Sequence, residues 1–216
     1  VALGYGSLTT DVAGNRSTAI GHGALQNTNF STSTNSNNTA VGYNSGLSIT
    51  TGIDNSVLGS SALDALTDAD YNTAIGAFAL GADTTGSKST AVGRGALMAQ
   101  NFSTATDSHN TAVGFNSGVS VTNGIHNTYI GSQAGDATTG GGSNVVVGSS
   151  AFTSDTNSSK NTAVGHSALG AMKNASNTTS SNTAIGSDSG KAITTGIENT
   201  IVGSSAGDAL TDADYN

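Results

Sequence analysis

The stretch NTAVGYNSG occupies residues 38–46, and two closely similar stretches, NTAVGFNSG and NTAIGSDSG, occupy residues 110–118 and 182–190. The three copies therefore recur at one constant spacing along the chain. Self-similarity at a fixed period indicates a repeat architecture.

A shorter repeat lies inside this long period and is marked by a Gly that follows a triplet such as TAV or TAI. Its intervals are seventeen, twenty-one, seventeen and seventeen positions, and the order then recurs. The twelve glycines are Gly4, Gly21, Gly42, Gly59, Gly76, Gly93, Gly114, Gly131, Gly148, Gly165, Gly186 and Gly203. Three modules, 1–72, 73–144 and 145–216, follow one another without a gap. We therefore expect one repeat array, cut from a longer fibre because TDADYN at the end would run into another VALG.

The composition excludes several classes of protein. Only 9% of the residues are charged and 5% are aromatic, there is no Cys or Pro, and the net charge is −8. A chain this acidic is a poor match for nucleic acid, which proteins usually bind through basic surfaces. No apolar run is long enough to span a membrane. The strict periodicity argues against disorder, although Gly, Ser, Thr and Asn dominate.

Each repeat predicts a short strand followed by a corner. The residue before the Gly is always Leu, Ile or Val, the residue before that is usually Ala, and Thr and Asn usually precede them. A β-branched run bounded by Asn and Gly is typical of a short strand, with Asn and Gly suited to the corners. A second short strand is expected after the Gly. The pattern predicts an all-β fold, a parallel β-solenoid of twelve coils, each seventeen or twenty-one positions long.

Alternation along each strand predicts which residues lie inside the coil. The aliphatic residue before the Gly and the Thr two positions earlier share one face, and the Ala between them takes the other. We expect the aliphatic row to fill the interior of the coil. This predicted core row is Ile20, Val41, Leu58, Ile75, Val92, Val113, Ile130, Val147, Val164, Ile185 and Val202.

The alanine row is then expected to contact neighbouring chains. A strand that is apolar on both faces is usually covered on both faces, and a coil this thin supplies only one cover. The predicted oligomer interface is Ala19, Ala40, Ala74, Ala91, Ala112, Ala163 and Ala184.

The repeats NTAIG, NTAVG and NSVLG, each followed by Ala or Ser three residues after the Gly, resemble the head repeats of YadA-like trimeric autotransporter adhesins. Similar repeats are typical of phage tail-fibre proteins. The resemblance covers the whole chain and implies a left-handed β-roll that forms a homotrimer in an extracellular, cell-surface or virion fibre. The longer coils and the four-coil module depart from the adhesin pattern.

Polar loops are expected where the interval between glycines is the longer one, at 26–37, 98–109 and 170–181. Phe30 and Phe102 share one position in the first two loops. They are either surface-binding residues, for glycans or matrix proteins, or they fold back under their own loops. Charged residues also recur once per module, as in Asp83 with Lys88, and predict exposed ion pairs.

Asp68, Asp70 and Asn72 form a D-x-D-x-N run, which is part of a calcium-binding loop pattern. The Gly and the distal Glu of that pattern are missing, so a plain acidic turn is the competing interpretation. No other metal or cofactor is predicted. His22 and His166 occupy one repeat position beside the Gly, and no nucleophile recurs with them, so we expect no enzymatic activity.

The sequence therefore predicts a structural and adhesive fibre segment, a rigid trimeric spacer with weak multivalent surface contacts. The alternatives are a self-polymerising extracellular filament, a phage tail fibre and an ice-binding solenoid. Ice binding is disfavoured at this point because the Thr row is expected to face inward with the aliphatic row.

Overall fold

The computed structural model describes residues 1–174 and 178–216, and within these ranges the chain is all-β, without a helix. It is a parallel β-solenoid of twelve coils, and it divides into two compact units, Val1–His109 and Asn110–Asn216. The boundary between the units lies within the second of the three repeat modules.

Six of the strands in the first unit are neighbours in one parallel sheet, in the order β1-β3-β5-β6-β7-β9. Two further pairs, β2 with β4 and β8 with β10, are also parallel. The strands are β1 (Ala2–Leu3), β2 (Gly14–Asn15), β3 (Thr18–Ile20), β4 (Thr34–Asn35), β5 (Thr39–Val41), β6 (Ser56–Leu58), β7 (Thr73–Ile75), β8 (Gly86–Ser87), β9 (Thr90–Val92) and β10 (Thr106–Asp107).

The second unit has the same construction, with the sheet order β11-β12-β13-β15-β17-β18 and the extra pair β14 with β16. Equivalent residues of successive coils are neighbours in the sheet, as in Tyr129 beside Val146. The strands are β11 (Thr111–Val113), β12 (Thr128–Ile130), β13 (Val145–Val147), β14 (Ser158–Ser159), β15 (Thr162–Val164), β16 (Thr178–Thr179), β17 (Thr183–Ile185) and β18 (Thr200–Val202).

The repeated Gly ends each main strand because no other residue fits there. Gly21 has φ +130°, a conformation that side chains disfavour. A Cβ built on Gly21 would lie 2.3 Å from the carbonyl oxygen of Gly42 in the next coil. The glycines therefore form a column in which each one approaches the backbone of the next coil.

The segment after the Gly is a series of tight turns, so the second strand predicted from the sequence is wrong. Its backbone N–H groups alternate between two kinds of acceptor. Ala24 donates to Gly21 in its own coil, whereas Leu25 donates to Ser45 in the next coil at 3.0 Å. Turn residues thus satisfy their own backbone and still stack on the neighbouring coil.

The fourth residue after the Gly has a left-handed backbone throughout, and in several coils it is a leucine. Leu25, Leu63 and Leu80 have positive φ and are fully buried. A left-handed conformation costs a non-glycine residue about 1 kcal/mol. Burial of the leucine side chain, worth roughly 2 kcal/mol, offsets that cost. In most coils that lack leucine here, Gly takes the position, as at Gly46 and Gly135.

A ladder of buried asparagines runs along the start of the main strands. The Asn38 side-chain oxygen accepts from the N–H of Asn55 at 2.9 Å, and Asn55 in turn accepts from Asn72 at 3.0 Å. The Asn55 amide also donates to the carbonyl of Ala69. The sequence assigned these asparagines to the corners, but the positive φ falls on the residue before each, as at Asn37. Asn therefore suits this position because its side-chain amide forms buried hydrogen bonds to the neighbouring coil and to the backbone, and not because of its own backbone conformation.

Three rows contribute to the interior of each coil: the middle strand residue and the fourth and seventh residues after the Gly. In one coil these are Ala19, Leu25 and Thr28, all fully buried. In another, Tyr129 replaces the Ala, and a Cβ on Gly135 would lie 2.2 Å from the tyrosine ring. In this coil the large interior residue is Tyr129 in the strand, whereas in the first it is Leu25 in the turn. In both coils the interior is filled.

This exchange of volume predicts a compensating pair of substitutions. Gly135→Leu should destabilise the second unit by about 2–4 kcal/mol because the new side chain collides with Tyr129, and Tyr129→Ala should cost a similar amount by leaving a cavity. The double variant has the same three interior residue types as the coil of Ala19 and should recover most of the loss. Denaturant unfolding of the four proteins measures the coupling, and strictly additive effects would contradict this account of the core.

Candidate interaction surface

The middle residue of each main strand faces the interior of its own coil, which reverses the orientation expected from the sequence. All seven alanines assigned to an oligomer interface are fully buried within the single chain: Ala19, Ala40, Ala74, Ala91, Ala112, Ala163 and Ala184. The interface assignment for these residues is wrong, because a side chain buried in its own coil has no surface left for another chain.

The aliphatic row assigned to the core lies on the outside of the coil. Ile75 is 37% exposed and Leu58 is 50% exposed, although their neighbours in the strands, Ala74 and Val57, are buried. The whole predicted core row is exposed or half-buried: Ile20, Val41, Leu58, Ile75, Val92, Val113, Ile130, Val147, Val164, Ile185 and Val202. The core assignment for this row is therefore wrong.

The physical reason is the thinness of the coil. The turn after the Gly folds the fourth residue back under the strand, so that a leucine or a Gly faces the middle strand residue directly. A Cβ on Gly135 would lie 2.2 Å from the ring of Tyr129 in the strand of the same coil, which shows how narrow this interior is. Where leucine takes the turn position, the strand supplies Ala in most coils, as with Ala74 opposite Leu80. Val57 opposite Leu63 is an exception.

The Thr row shares the outer face with the aliphatic row. Thr39 and Thr200 are exposed, and Thr73 and Thr128 are half-buried. In the described part of the chain, the hydroxyls of this row form no hydrogen bond to protein. We call the outward rows together the aliphatic face. No charged residue occurs in either row.

Aromatic and basic side chains border the aliphatic face in the first unit, directly after the Gly corner. Tyr5, His22 and Tyr43 stack in successive coils with ring centroids 5.3 Å apart. The guanidinium of Arg94 lies over the ring of Phe78, 5.9 Å from its centroid. Such contacts are weak at exposed positions, so they rigidify this border only slightly.

The two phenylalanines considered as surface-binding residues are buried. Phe30 and Phe102 are 5% and 7% exposed, so they fold back under their own loops. The assignment to surface binding is wrong because an aromatic ring gains more by packing against its own loop than by standing in water. In the third loop Asn174 takes this position and is also buried, while 175–177 lie outside the described residues.

The D-x-D-x-N run holds the backbone of neighbouring coils. The Asp70 carboxylate accepts from the N–H of Ile53 at 2.8 Å, Asp68 accepts from the hydroxyl of Thr67, and Asn72 belongs to the buried ladder. No cluster of three or more His, Cys, Asp or Glu suited to a metal ion occurs in the part of the chain that the structure describes.

The acidic residue that recurs once per module is buried in the second and third modules. The Asp83 carboxylate accepts from the N–H of Gly86 at 2.9 Å and from the side-chain amide of Gln100. Lys88, its expected partner, pairs with Asp107 on the surface. The predicted Asp83–Lys88 pair is therefore wrong, and the carboxylate caps the turn that precedes β8.

Burial raises the pKa of the Asp83 carboxyl above its ordinary value, and the hydrogen bonds from Gln100 and from backbone amides act in the opposite direction. Burial likewise raises the pKa of Asp155, where the hydrogen bonds from Ser158 and Asn174 oppose it. No cation contributes to the pKa of either carboxyl, so desolvation of the charged form prevails.

Comparison with protein-family models, curated proteins and solved structures finds no match for this chain. No helix long and apolar enough to cross a membrane occurs among the described residues. The resemblance to adhesin head repeats therefore stays a prediction from the residue pattern. Any function has to be argued from the surfaces of the chain itself.

The buried carboxyls predict a pH dependence of stability. Since their pKa values are raised in the folded state, their contribution is full below the unfolded pKa, near 3.8, and is lost as the pH rises through the folded values. Replacing both, by Asp83→Asn and Asp155→Asn, should therefore help stability more at neutral pH than in mild acid, relative to the parent. Thermal unfolding across this range measures the difference. Asp68→Asn, at an exposed site, is the control, and a parent–variant difference that does not change with pH would contradict the prediction.

Proposed function

We propose that this chain is a segment of an extracellular fibre in which three copies cover one another's aliphatic faces. The observation that carries the proposal is the outward aliphatic row, which appears in every coil and which a single chain leaves uncovered. Contiguous exposed apolar surface on this scale marks an interaction site in soluble proteins. The occupant proposed is a second and third copy of the chain, because a repeated row is best matched by another row with the same spacing.

The energetics support association through this face. Covering the exposed part of one half-buried Ile or Leu is worth about 1 kcal/mol, so six coils of one unit contribute several kcal/mol per chain. Electrostatic repulsion between copies does not oppose this contact. The chain has a net charge of −8, but neither outward row contains a charged residue. The aliphatic face is thus the part of the surface on which copies meet without burying ions.

The proposed role follows from the geometry of the repeat. Successive coils stack about 4.8 Å apart, so length grows with the number of repeats while every coil repeats the same contacts. We propose left-handed winding and a place on a cell surface or a virion, as the adhesin-like and tail-fibre-like motifs imply. The fibre would space or present binding elements and make weak contacts with glycans or matrix proteins, strengthened by many copies.

The trimer is tested by mass in solution. We expect a species of three chains of 21.0 kDa each in analytical ultracentrifugation. Ile75→Asp combined with Ile130→Asp should dissociate it to a folded monomer, because both side chains point away from their own coils and a buried charge opposes association. Thr51→Asp, which adds a charge at an exposed site off the main strands, is the matched control. A folded parent protein that sediments as a monomer would refute the proposal.

Ice binding is the second candidate, and the outward Thr row is the observation that favours it. Thr and aliphatic side chains alternate on the same face, with coils about 4.8 Å apart. The argument from the sequence against ice binding assumed that this row faces inward, and that assumption is wrong. If copies cover the face, we expect no thermal hysteresis. Hysteresis from a protein that remains monomeric, and its loss on Thr73→Lys with Thr128→Lys, would instead assign the face to ice.

A further inference from the structure

Two asparagines occupy one repeat position in the long loops of the first unit. Asn29 begins the stretch NFS at 29–31, and Asn101 begins the same stretch at 101–103, each eight residues after the repeated Gly. Both lie in the unit Val1–His109, four coils or about 19 Å apart. Asn-x-Ser and Asn-x-Thr are acceptor sequences for N-linked glycans, and their use requires a surface loop. The exposure of each stretch therefore decides whether it can serve as an acceptor.

Both stretches present their Asn and Ser to solvent on either side of a buried ring. Phe30 and Phe102 pack beneath their loops and are 5% and 7% exposed. The buried ring anchors each loop to its coil. The exposed residues beside the two rings are Asn29, Ser31, Asn101 and Ser103. An enzyme can therefore reach both polar residues of each stretch while the chain is folded.

The side-chain amide nitrogen, which is the atom that receives a sugar, is not engaged in either stretch. Among the described residues, Asn29 forms only a backbone hydrogen bond, from its N–H to the carbonyl of Thr50 at 2.9 Å. The Asn101 side chain uses its oxygen, which accepts from the Thr84 hydroxyl at 2.8 Å. These contacts hold the loops and leave both amide nitrogens open to reaction.

Two other stretches of this type are closed by the fold. In 15–17 the amide of Asn15 donates to the Ser33 hydroxyl at 2.9 Å, and Ser17 is 7% exposed. In 157–159 the side chain of Asn157 is half-buried, and Ser158 is fully buried. An enzyme that has to reach the Asn together with the residues after it cannot use either stretch in the folded chain.

Two further stretches also differ from a free surface loop. In 37–39 the Asn37 amide donates to the Asp54 carboxylate at 2.9 Å, and Thr39 belongs to a main strand and to the aliphatic face. In the third module Asn174 takes the repeat position of Asn29 and Asn101, but it is 7% exposed and its amide donates to the Ser158 hydroxyl. The rest of that stretch lies outside the described residues.

We infer that Asn29 and Asn101 are acceptor sites for N-linked glycans. In the transfer, Nδ2 of the Asn forms a bond to C1 of a sugar, and the bond from C1 to the phosphate of an activated donor breaks. The phosphate leaves with the bonding electrons, and the amide gives up one proton. The donor is a nucleotide-linked or a lipid-linked sugar, and a glycosyltransferase catalyses the step. Both sites lie outside the rows of the aliphatic face, so a glycan leaves that face uncovered and the inference does not depend on the proposed trimer.

Sugar transfer to the purified, folded full chain tests the inference. One reaction uses a soluble N-glycosyltransferase with nucleotide-linked glucose, and the other uses a membrane oligosaccharyltransferase with a lipid-linked oligosaccharide. Peptide mass spectrometry then locates the sugar. With at least one of the two donors we expect sugar at Asn29 and Asn101 and none at Asn15 or Asn157, and the reaction that succeeds identifies the donor.

Matched controls separate the effect of the fold from the effect of the sequence. Synthetic peptides covering 12–20 and 154–162 contain the two closed stretches without the coil, and the same enzyme should modify them. Ser31→Ala should abolish transfer to Asn29 and leave transfer to Asn101 intact. Thr32→Ala, at an exposed position in the same loop, should change neither site.

Three results would overturn the inference. These are no transfer to Asn29 and Asn101 of the folded chain with either donor, equal transfer to Asn15 or Asn157 in that chain, and transfer to Asn29 that survives Ser31→Ala. Sedimentation of the same samples keeps this test separate from the proposed function. A monomer modified at both sites would refute the trimer alone, and a trimer modified at neither would refute these sites alone.

Discussion

The narrow interior of the coil is the constraint on which the rest of the structure depends. The turn after each Gly returns the chain so closely under the strand that only a few side chains fit in the space between them. Leu25 fills it from the turn in one coil, and Tyr129 fills it from the strand in another, opposite Gly135. The strand residues on either side of the middle one lie on the opposite face and point outward, which creates the aliphatic face.

Backbone hydrogen bonding explains how a chain with so few large apolar residues can fold at all. The main strands pair in register from coil to coil, the turns alternate between internal and intercoil bonds, and the Asn ladder closes the start of each strand. Buried asparagines such as Asn55 form hydrogen bonds with backbone N–H and C=O groups that would otherwise have no partner. Each buried polar group without a partner would cost about 1–3 kcal/mol. Polar residues thus carry part of the role that a hydrophobic core has in a globular domain.

Features that occur at only one or a few places in the chain arise where the residues or the coil length depart from the strict repeat. The longer intervals between glycines add the short pairs β2 with β4, β8 with β10 and β14 with β16, and they bury Phe30 and Phe102 rather than present them. In the second unit a shallow cavity of about 260 Å³ lies beside Ser167, Gly170 and Lys191, whereas Phe78 and Met98 take the equivalent positions of Ser167 and Lys191 in the first unit. Function that is specific to one place on a repeat protein has to come from such irregularities, because the repeated contacts are the same everywhere.

The sequence by itself determined that the chain is an all-β parallel solenoid, because a Gly that recurs after a short β-branched triplet marks one strand and one corner per coil. It also determined where the coils repeat, since only Gly tolerates the close approach at Gly21. Only the tertiary structure decided which face is inside. Ala74 and Ile75 are both apolar, and alternation places them on opposite faces without saying which face the turn will cover. The turn covers Ala74, because the interior has room for only a small strand residue opposite Leu80. Ile75 therefore points to the outside of the coil.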